Sequence, residues 1–292
     1  MKIAGRLSVG EVVWTAGERI GGHAQTKWRT IMACLPLLDS LRPFIEKREP
    51  VKPTAGDGDG HLDAALIPSW RSSGDADRYR GYQAAWVTPF LGRSVLDAGA
   101  QTGELVARIV RRGAKLERLV LTDHEQGWVE HLRRRFTDAE VLGLSLPGRP
   151  DIAPVDTVLL VNVLGHLEHD VETIAGLGDV LVPGGRVVVW EAGYPELFSD
   201  FDRDQAGRLR RYTPEGLAER LRLAGLEVEI SRPVNLLGGL FNRVMVGRTA
   251  DFADPRLVRL YDRLVVPLSR LFDRLPLRFG QNVFAVARVP AE

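Results

Sequence analysis

Between residues 93 and 193 the chain repeats one pattern: a short run rich in Val and Leu, then a stretch with helical spacing. "RSVLDAGA", "LERLVLTD", "AEVLGLS", "VDTVLLVNVL" and "GGRVVVWEAG" are the runs. "TGELVARIVRRG", "EQGWVEHLRRRF" and "DVETIAGLGDVL" are the helical stretches. A strand exposed on one face alternates apolar with polar residues. Near-continuous apolar runs separated by helices instead predict a parallel sheet covered on both faces. With 292 residues and 45% of them hydrophobic, the chain can bury such a sheet.

The flanks read differently. Residues 1–74 combine the interrupted helical pattern "TKWRTIMACLPLLDSLRPFIEK" with "REPVKPTAGDGDGHLD", a linker rich in Pro, Gly and Asp. "DGDG" lacks the later ligands of a calcium loop, so the linker reading is preferred. This segment is expected to serve as a lid or a homodimer contact, because its apolar face needs cover. Residues 75–292 are expected to form the main domain, beginning with the helix of "DADRYRGYQAAWVTPFLG". In "TPEGLAERLRLAGLEVEI", Thr213 is placed to cap a helix and Pro214 to open it. "NVFAVARV" reads as a last strand. The insertion 234–280 contains an amphipathic stretch with several arginines. Acids interrupt its basic face, so a lid or packing helix is expected rather than one lying on a membrane.

Composition narrows the function. Formal net charge is +1, which gives no reason to expect nucleic acid. Cys34 is the only cysteine, so no intrachain disulfide and no Cys-rich zinc site is expected. The first residues lack an apolar signal-peptide core and no long uncharged apolar stretch occurs. A cytoplasmic protein without stable membrane insertion is expected. "HLEHD" brings together His166, His169 and Asp170, but no second cluster completes a metal site, so none is expected.

The chemistry gathers at strand ends. In "VLDAGAQTGEL", Gly99 and Gly103 let the backbone turn tightly before a helix N-terminus. Asp123 closes the next strand, where an acid can accept both ribose hydroxyls of an adenosine cofactor. Asp97 lies two residues before Gly99, where it would repel a pyrophosphate but suits a ligand carrying an ammonium.

In order along the chain these segments resemble class I S-adenosylmethionine (SAM)-dependent methyltransferases. Within that class they resemble a bacterial group with a Leu-Glu-His-type motif after the fourth strand, a Pro-Gly-Gly turn before the fifth, and a later Arg-Arg-Tyr. The likeness spans about Tyr79 to Ile230 and the final strand. It implies an α/β, doubly wound, Rossmann-like sheet of seven strands, mostly parallel with the last antiparallel, and helices on both faces. It implies SAM as cofactor. Asp97, Gly99, Ala100, Gln101 and Gly103 would cradle its methionine part, with Asp123 on the ribose. His124, Leu144 and Ser145 would lie by the adenine, and Asn162, Val163 and Leu164 under the sulfonium. His166 corresponds to a histidine at the mouth of the site and Arg211 and Tyr212 to the Arg-Arg-Tyr motif.

His166 is the expected general base and Glu191 is expected to orient the acceptor. Tyr79, Tyr82, Trp86, Arg211 and Tyr212 are expected to contact it. The implied reaction is methyl transfer to an O or N atom of a small molecule, of natural-product or envelope-sugar type. Alternatives are a SAM-binding enzyme of rearrangement or cyclisation, or a non-catalytic subunit of the same fold. Three positions depart from the family: Gln101 for a glycine, Gly165 for Glu and Arg208 for His. The Gln101 side-chain amide is expected to contact the cofactor carboxylate or the adjacent loop, since a buried unsatisfied amide costs ~1–3 kcal/mol.

Overall fold

The sheet follows from the two-faced burial that the apolar runs demand. The computed structural model describes residues 77–245 and 255–290. Its strands are β1 Ser94–Ala98, β2 Arg118–Asp123, β3 Glu140–Gly143, β4 Val155–Val161, β5 Leu181–Ala192, β6 Glu227–Val234 and β7 Asn282–Arg288. They lie in the order β3-β2-β1-β4-β5-β7-β6. β1 to β5 pair in parallel, and β7 runs antiparallel to both β5 and β6. The expected seven-stranded sheet with an antiparallel last strand is therefore present.

Alternate residues of each central strand feed opposite cores. Leu96, Val158, Leu160, Val187 and Val189 pack on one side with Ile174 and Leu177 of α4 (Asp170–Gly178) and with Leu217 and Leu221 of α5 (Pro214–Leu223). Val95, Leu159, Val188 and Trp190 pack on the other with Tyr79, Tyr82 and Val87 of α1 (Asp77–Val87) and Ile109 of α2 (Glu104–Arg111). A smaller cluster lies under α3 (Gln126–Arg135), built on Leu121, Val129 and Leu132. Continuous apolar sequence was the signal for this arrangement because each residue faces one core or the other.

Strand order reverses at β1, which is flanked by β2 and β4. In doubly wound sheets such a switch in strand order places the ligand crevice at the carboxyl ends of the strands. β5 begins three residues earlier than the run "GGRVVVWEAG" implies. Pro183–Gly185 lie inside it as an irregular stretch, opposite a register break between Val155 and Thr157.

The insertion forms α6 (Leu236–Met245), α7 (Pro255–Leu260), a π-helical turn (Tyr261–Val265) and α8 (Val266–Phe272). Among the described residues no helix is long and apolar enough to cross a membrane. The expected lid or dimer contact of residues 1–74 lies outside the described residues.

Thr213 and Pro214 open α5 as the sequence implies: Thr213 Oγ1 accepts the Gly216 N–H at 3.0 Å, and Pro214 stands at the first helical position. Thr213→Ala is expected to cost about 1 kcal/mol of stability. Chemical denaturation checks this, and an unchanged midpoint would show the cap to be dispensable.

Candidate functional site

The turn after β1 is fixed by backbone geometry. Gly99 (φ +80°) and Gly103 (φ +70°) both lie in the left-handed region. A Cβ on Gly99 would stand 2.8 Å from Val163, and one on Gly103 would stand 2.3 Å from the Phe136 ring. Side chains are therefore excluded at both positions, and the first contact brings the β1 turn against the β4 turn. The N–H groups of Gly99 and Ala100 donate to the Thr122 carbonyl, each at 2.9 Å. This ties the turn to the end of β2.

Gln101 corrects an expectation. Its side chain is exposed, and its contact to the loop runs through the backbone: the Gln101 N–H donates to Asp123 Oδ2 at 3.0 Å. The residue takes φ +49°, a conformation that glycine adopts more readily. A side chain in solvent needs no buried partner, so the contact to the adjacent loop is made by the backbone N–H in place of the side-chain amide.

Asp123 is buried at the end of β2, and its Oδ1 accepts the Glu125 N–H at 3.1 Å. The exposed His124 ring stands 3.4 Å from the same oxygen. The Leu144 N–H reaches the Asp123 carbonyl at 2.9 Å, so Leu144 and the neighbouring Ser145 are brought beside this acid. Asp97, 4% exposed, has no hydrogen-bond partner among the described residues. Burial, reinforced by the charge of Asp123, pushes its carboxyl from 3.8 up to about 7. Two carboxyl groups thus converge on one crevice without a cation between them.

The β4 turn supplies the opposite wall. Asn162 (φ +55°) donates its N–H to the Trp190 carbonyl at 2.7 Å. Glu191, in β5, is 0% exposed. Its Oε1 accepts the N–H groups of Val163 and Leu164, each at 2.7 Å, while Oε2 has no partner. Burial raises this carboxyl to about 7, against the pull of Arg208. Gly165 explains its departure from the family pattern. A Cβ there would lie 3.0 Å from the Arg210 carbonyl, 3.2 Å from Glu191 Oε2 and 3.3 Å from Arg208. Any side chain there would push these neighbours back by a few tenths of an ångström.

His166 follows on the same turn, its Nδ1 3.2 Å from the Gly207 carbonyl. A carbonyl only accepts, so Nδ1 carries the proton and Nε2 keeps a lone pair. Burial and the Arg208 charge lower its pKa, so the ring is neutral near pH 7.

Five residues expected to contact an acceptor make contacts within the fold as well. Tyr82 is buried and donates its hydroxyl to Asp273. Tyr79 donates to Asn282 at 3.1 Å and packs edge-on against Trp190. Trp86 packs on Phe284 beneath the Arg232 guanidinium. Arg211 is buried and clamps Asp202 through Nε and Nη2 at 2.9–3.1 Å, with Nη1 on the Gly193 carbonyl. Tyr212 donates to Asp170 at 2.8 Å, and Asp170 also receives Arg210 and Arg220. Large amphipathic side chains of this kind bury their apolar parts and direct their polar groups to partners within the fold.

Asp202 was not anticipated. It lies in the π-helical turn Phe201–Gln205 and pairs with both Arg208 and Arg211. Burial opposes its ionisation, but the two guanidiniums hold its carboxyl below the ordinary range. The alternation of acids and arginines in "DFDRDQAGRLRR" was the available signal.

No family model matches the chain. Curated relatives do. The tRNA U34 carboxymethyltransferase of Aeromonas salmonicida (strain A449) is 30% identical over 173 residues, 55% of this chain and 50% of the relative. The enzyme of that name from Vibrio atlanticus (strain LGP32) is 30% identical over 135 residues, 45% of this chain and 39% of the relative. The chain thus spans half or less of the length of these curated relatives. A solved complex of the Haloferax volcanii Trm112 methyltransferase activator with a methyltransferase matches at TM-score 0.55 and 18% identity, over 77% of this chain and 96% of that one. The [4+2]-cyclase SpnF matches at TM-score 0.50 and 19% identity, over 92% and 97%.

The fold is that of class I SAM-dependent methyltransferases, an enzyme fold whose cofactor is S-adenosylmethionine. The curated names correct two other expectations. They specify tRNA, against the expected small-molecule acceptor and against the expected exclusion of nucleic acid. A net charge near zero misled because it averages over the chain and carries no information about local patches.

Two variants probe the crevice. In the unfolded chain Asp97 titrates near 3.8 and in the fold at about 7, so the folded state holds its proton more tightly. Stability must then fall as pH rises between these values, by on the order of 4 kcal/mol, and remain lower above 7. Asp97→Asn should flatten that fall. It should also weaken SAM binding more above pH 7 than below, since only the ionised acid attracts an ammonium. Thermal melts and calorimetry across pH check both, and a parallel pH profile in the two proteins would remove Asp97 from the crevice chemistry. Gln101→Gly should leave SAM affinity unchanged, because the contact to Asp123 is a backbone N–H, and should raise stability by ~0–1 kcal/mol. A tenfold loss of affinity would assign the side chain to the cofactor.

Proposed function

We propose that the chain uses S-adenosylmethionine to alkylate a nucleobase of RNA, with tRNA as the substrate class. The observation that carries the cofactor half is the pair of buried carboxyl groups, Asp97 and Asp123, at the switch in strand order. A ligand bearing an ammonium and ribose hydroxyls satisfies both. The substrate half rests on the relatives named for tRNA U34.

In this reading Asp123 takes the ribose hydroxyls and Asp97 the ammonium, with Gly99, Ala100, Gln101 and Gly103 along the methionine part. His124, Leu144 and Ser145 flank the base. Asn162, Val163 and Leu164 line the reacting end. When bound, the cofactor supplies an electrophilic carbon on a sulfonium. The chain's own residues then position the acceptor, exclude water and remove a proton. Glu191 holds the wall that faces the reacting end by fixing two of its amides. His166, neutral with Nε2 available, is the group that accepts the acceptor's proton.

Incubation with labelled SAM and unmodified tRNA should place label in tRNA nucleosides. Asp123→Asn should reduce SAM affinity by roughly tenfold or more, since a charge-assisted bond is worth ~1.5–3 kcal/mol. Retained SAM binding with no label in any RNA would overturn the substrate class. Unchanged affinity in Asp123→Asn would overturn the cofactor assignment.

A further inference from the structure

We propose that the outer face of the segment running from α7 to Arg278 docks on an anionic lipid bilayer, lying in its interface without crossing it. The acids that interrupt this segment in sequence are turned inward by the fold. Asp262 is buried and accepts the N–H groups of Arg78 and Tyr79, at 3.1 and 2.7 Å, at the start of α1. Asp273 is buried and accepts the Asn235 N–H at 2.9 Å together with the Tyr82 hydroxyl. Neither contributes to the surface.

What remains outside has a simple composition. From Val258 to Gly280 every exposed residue is an arginine, a leucine or a proline. Leu264, Leu268 and Leu271 are 49%, 45% and 60% exposed, and their spacing of four and three puts them on one ridge. Arg263, Arg270 and Arg274 are exposed beside these leucines, and Arg270 donates Nη2 to the Arg78 carbonyl with its guanidinium over Tyr82. Arg78 and Arg112 add like charge beside Arg270. The inner ridge, with Val258, Val265, Val266 and Ser269, is buried against the domain.

Charge and apolarity together select the occupant. A cluster of arginines with no exposed acid along the segment attracts an anionic surface. Phosphates of RNA would satisfy the arginines but leave three leucines in water. A bilayer of acidic lipid takes both, with headgroup phosphates at the arginines and the acyl boundary at the leucine ridge. In the sequence the two acids count against a membrane-facing surface; their inward contacts remove that objection.

Sedimentation of the full chain with phosphatidylcholine vesicles, with and without phosphatidylglycerol, tests this. The chain should bind vesicles containing phosphatidylglycerol, more weakly as salt rises, and should not bind phosphatidylcholine alone. The triple variant Leu264→Gln, Leu268→Gln, Leu271→Gln should lose roughly a hundredfold in vesicle affinity. Its melting temperature and SAM affinity should stay unchanged, because the leucines are exposed. Arg263→Gln with Arg274→Gln should lose roughly fivefold per arginine. The proposal is overturned if the parent ignores anionic vesicles or the leucine variant binds them as the parent does. It is also overturned if the leucine variant keeps vesicle binding but loses tRNA binding or self-association, which would assign the face to RNA or to a second copy.

Discussion

Burial of the sheet on both faces is the constraint from which the rest follows. With Val95, Leu159 and Val188 facing one core and Leu96, Val158 and Val187 the other, the central strands have no free face for chemistry. Polar function is pushed to the strand ends, where backbone groups leave the ladder and turns diverge. Asp97, Asp123 and Glu191 all stand at such ends. Each is buried because the cores reach almost to the edge of the sheet.

That burial sets the electrostatics. Asp97 and Glu191 are both raised to about 7, and in each case loss of water is the leading cause. Their resolutions differ. Glu191 uses one oxygen to hold the Val163 and Leu164 amides, so it acts as part of the wall. Asp97 has no such use within the described residues and so suits a cationic ligand. Asp202 shows the third outcome, a buried acid kept ionised by two guanidiniums. Breaking one partner of such a cluster costs more than the cluster contributes, because the remaining charge stays buried. Arg211 is one such partner, held on Asp202 and the Gly193 carbonyl.

The comparisons separate fold from chemistry. A methyltransferase complex and a [4+2]-cyclase share this architecture at under 20% identity, so the sheet alone does not select a reaction. The curated relatives add a transferred group and a nucleic acid, but over half or less of their length.

Much of the fold was legible in the sequence, because strands buried on both sides leave continuous apolar runs and helix starts leave caps such as Thr213 before Pro214. The glycines and acids of the cofactor crevice were legible for a similar reason: a positive φ at Gly99 and Gly103, and an acid closing a strand, are local requirements. The direction of each polar group was not. Tyr82 and Arg211 turned inward, the Gln101 side chain stayed in solvent, and Asp262 and Asp273 left the basic face for the interior. Sequence determined which groups are present and which segments carry them. Only the tertiary structure decided which partner each would meet, because those partners lie up to 191 residues away along the chain and are brought within reach by packing alone.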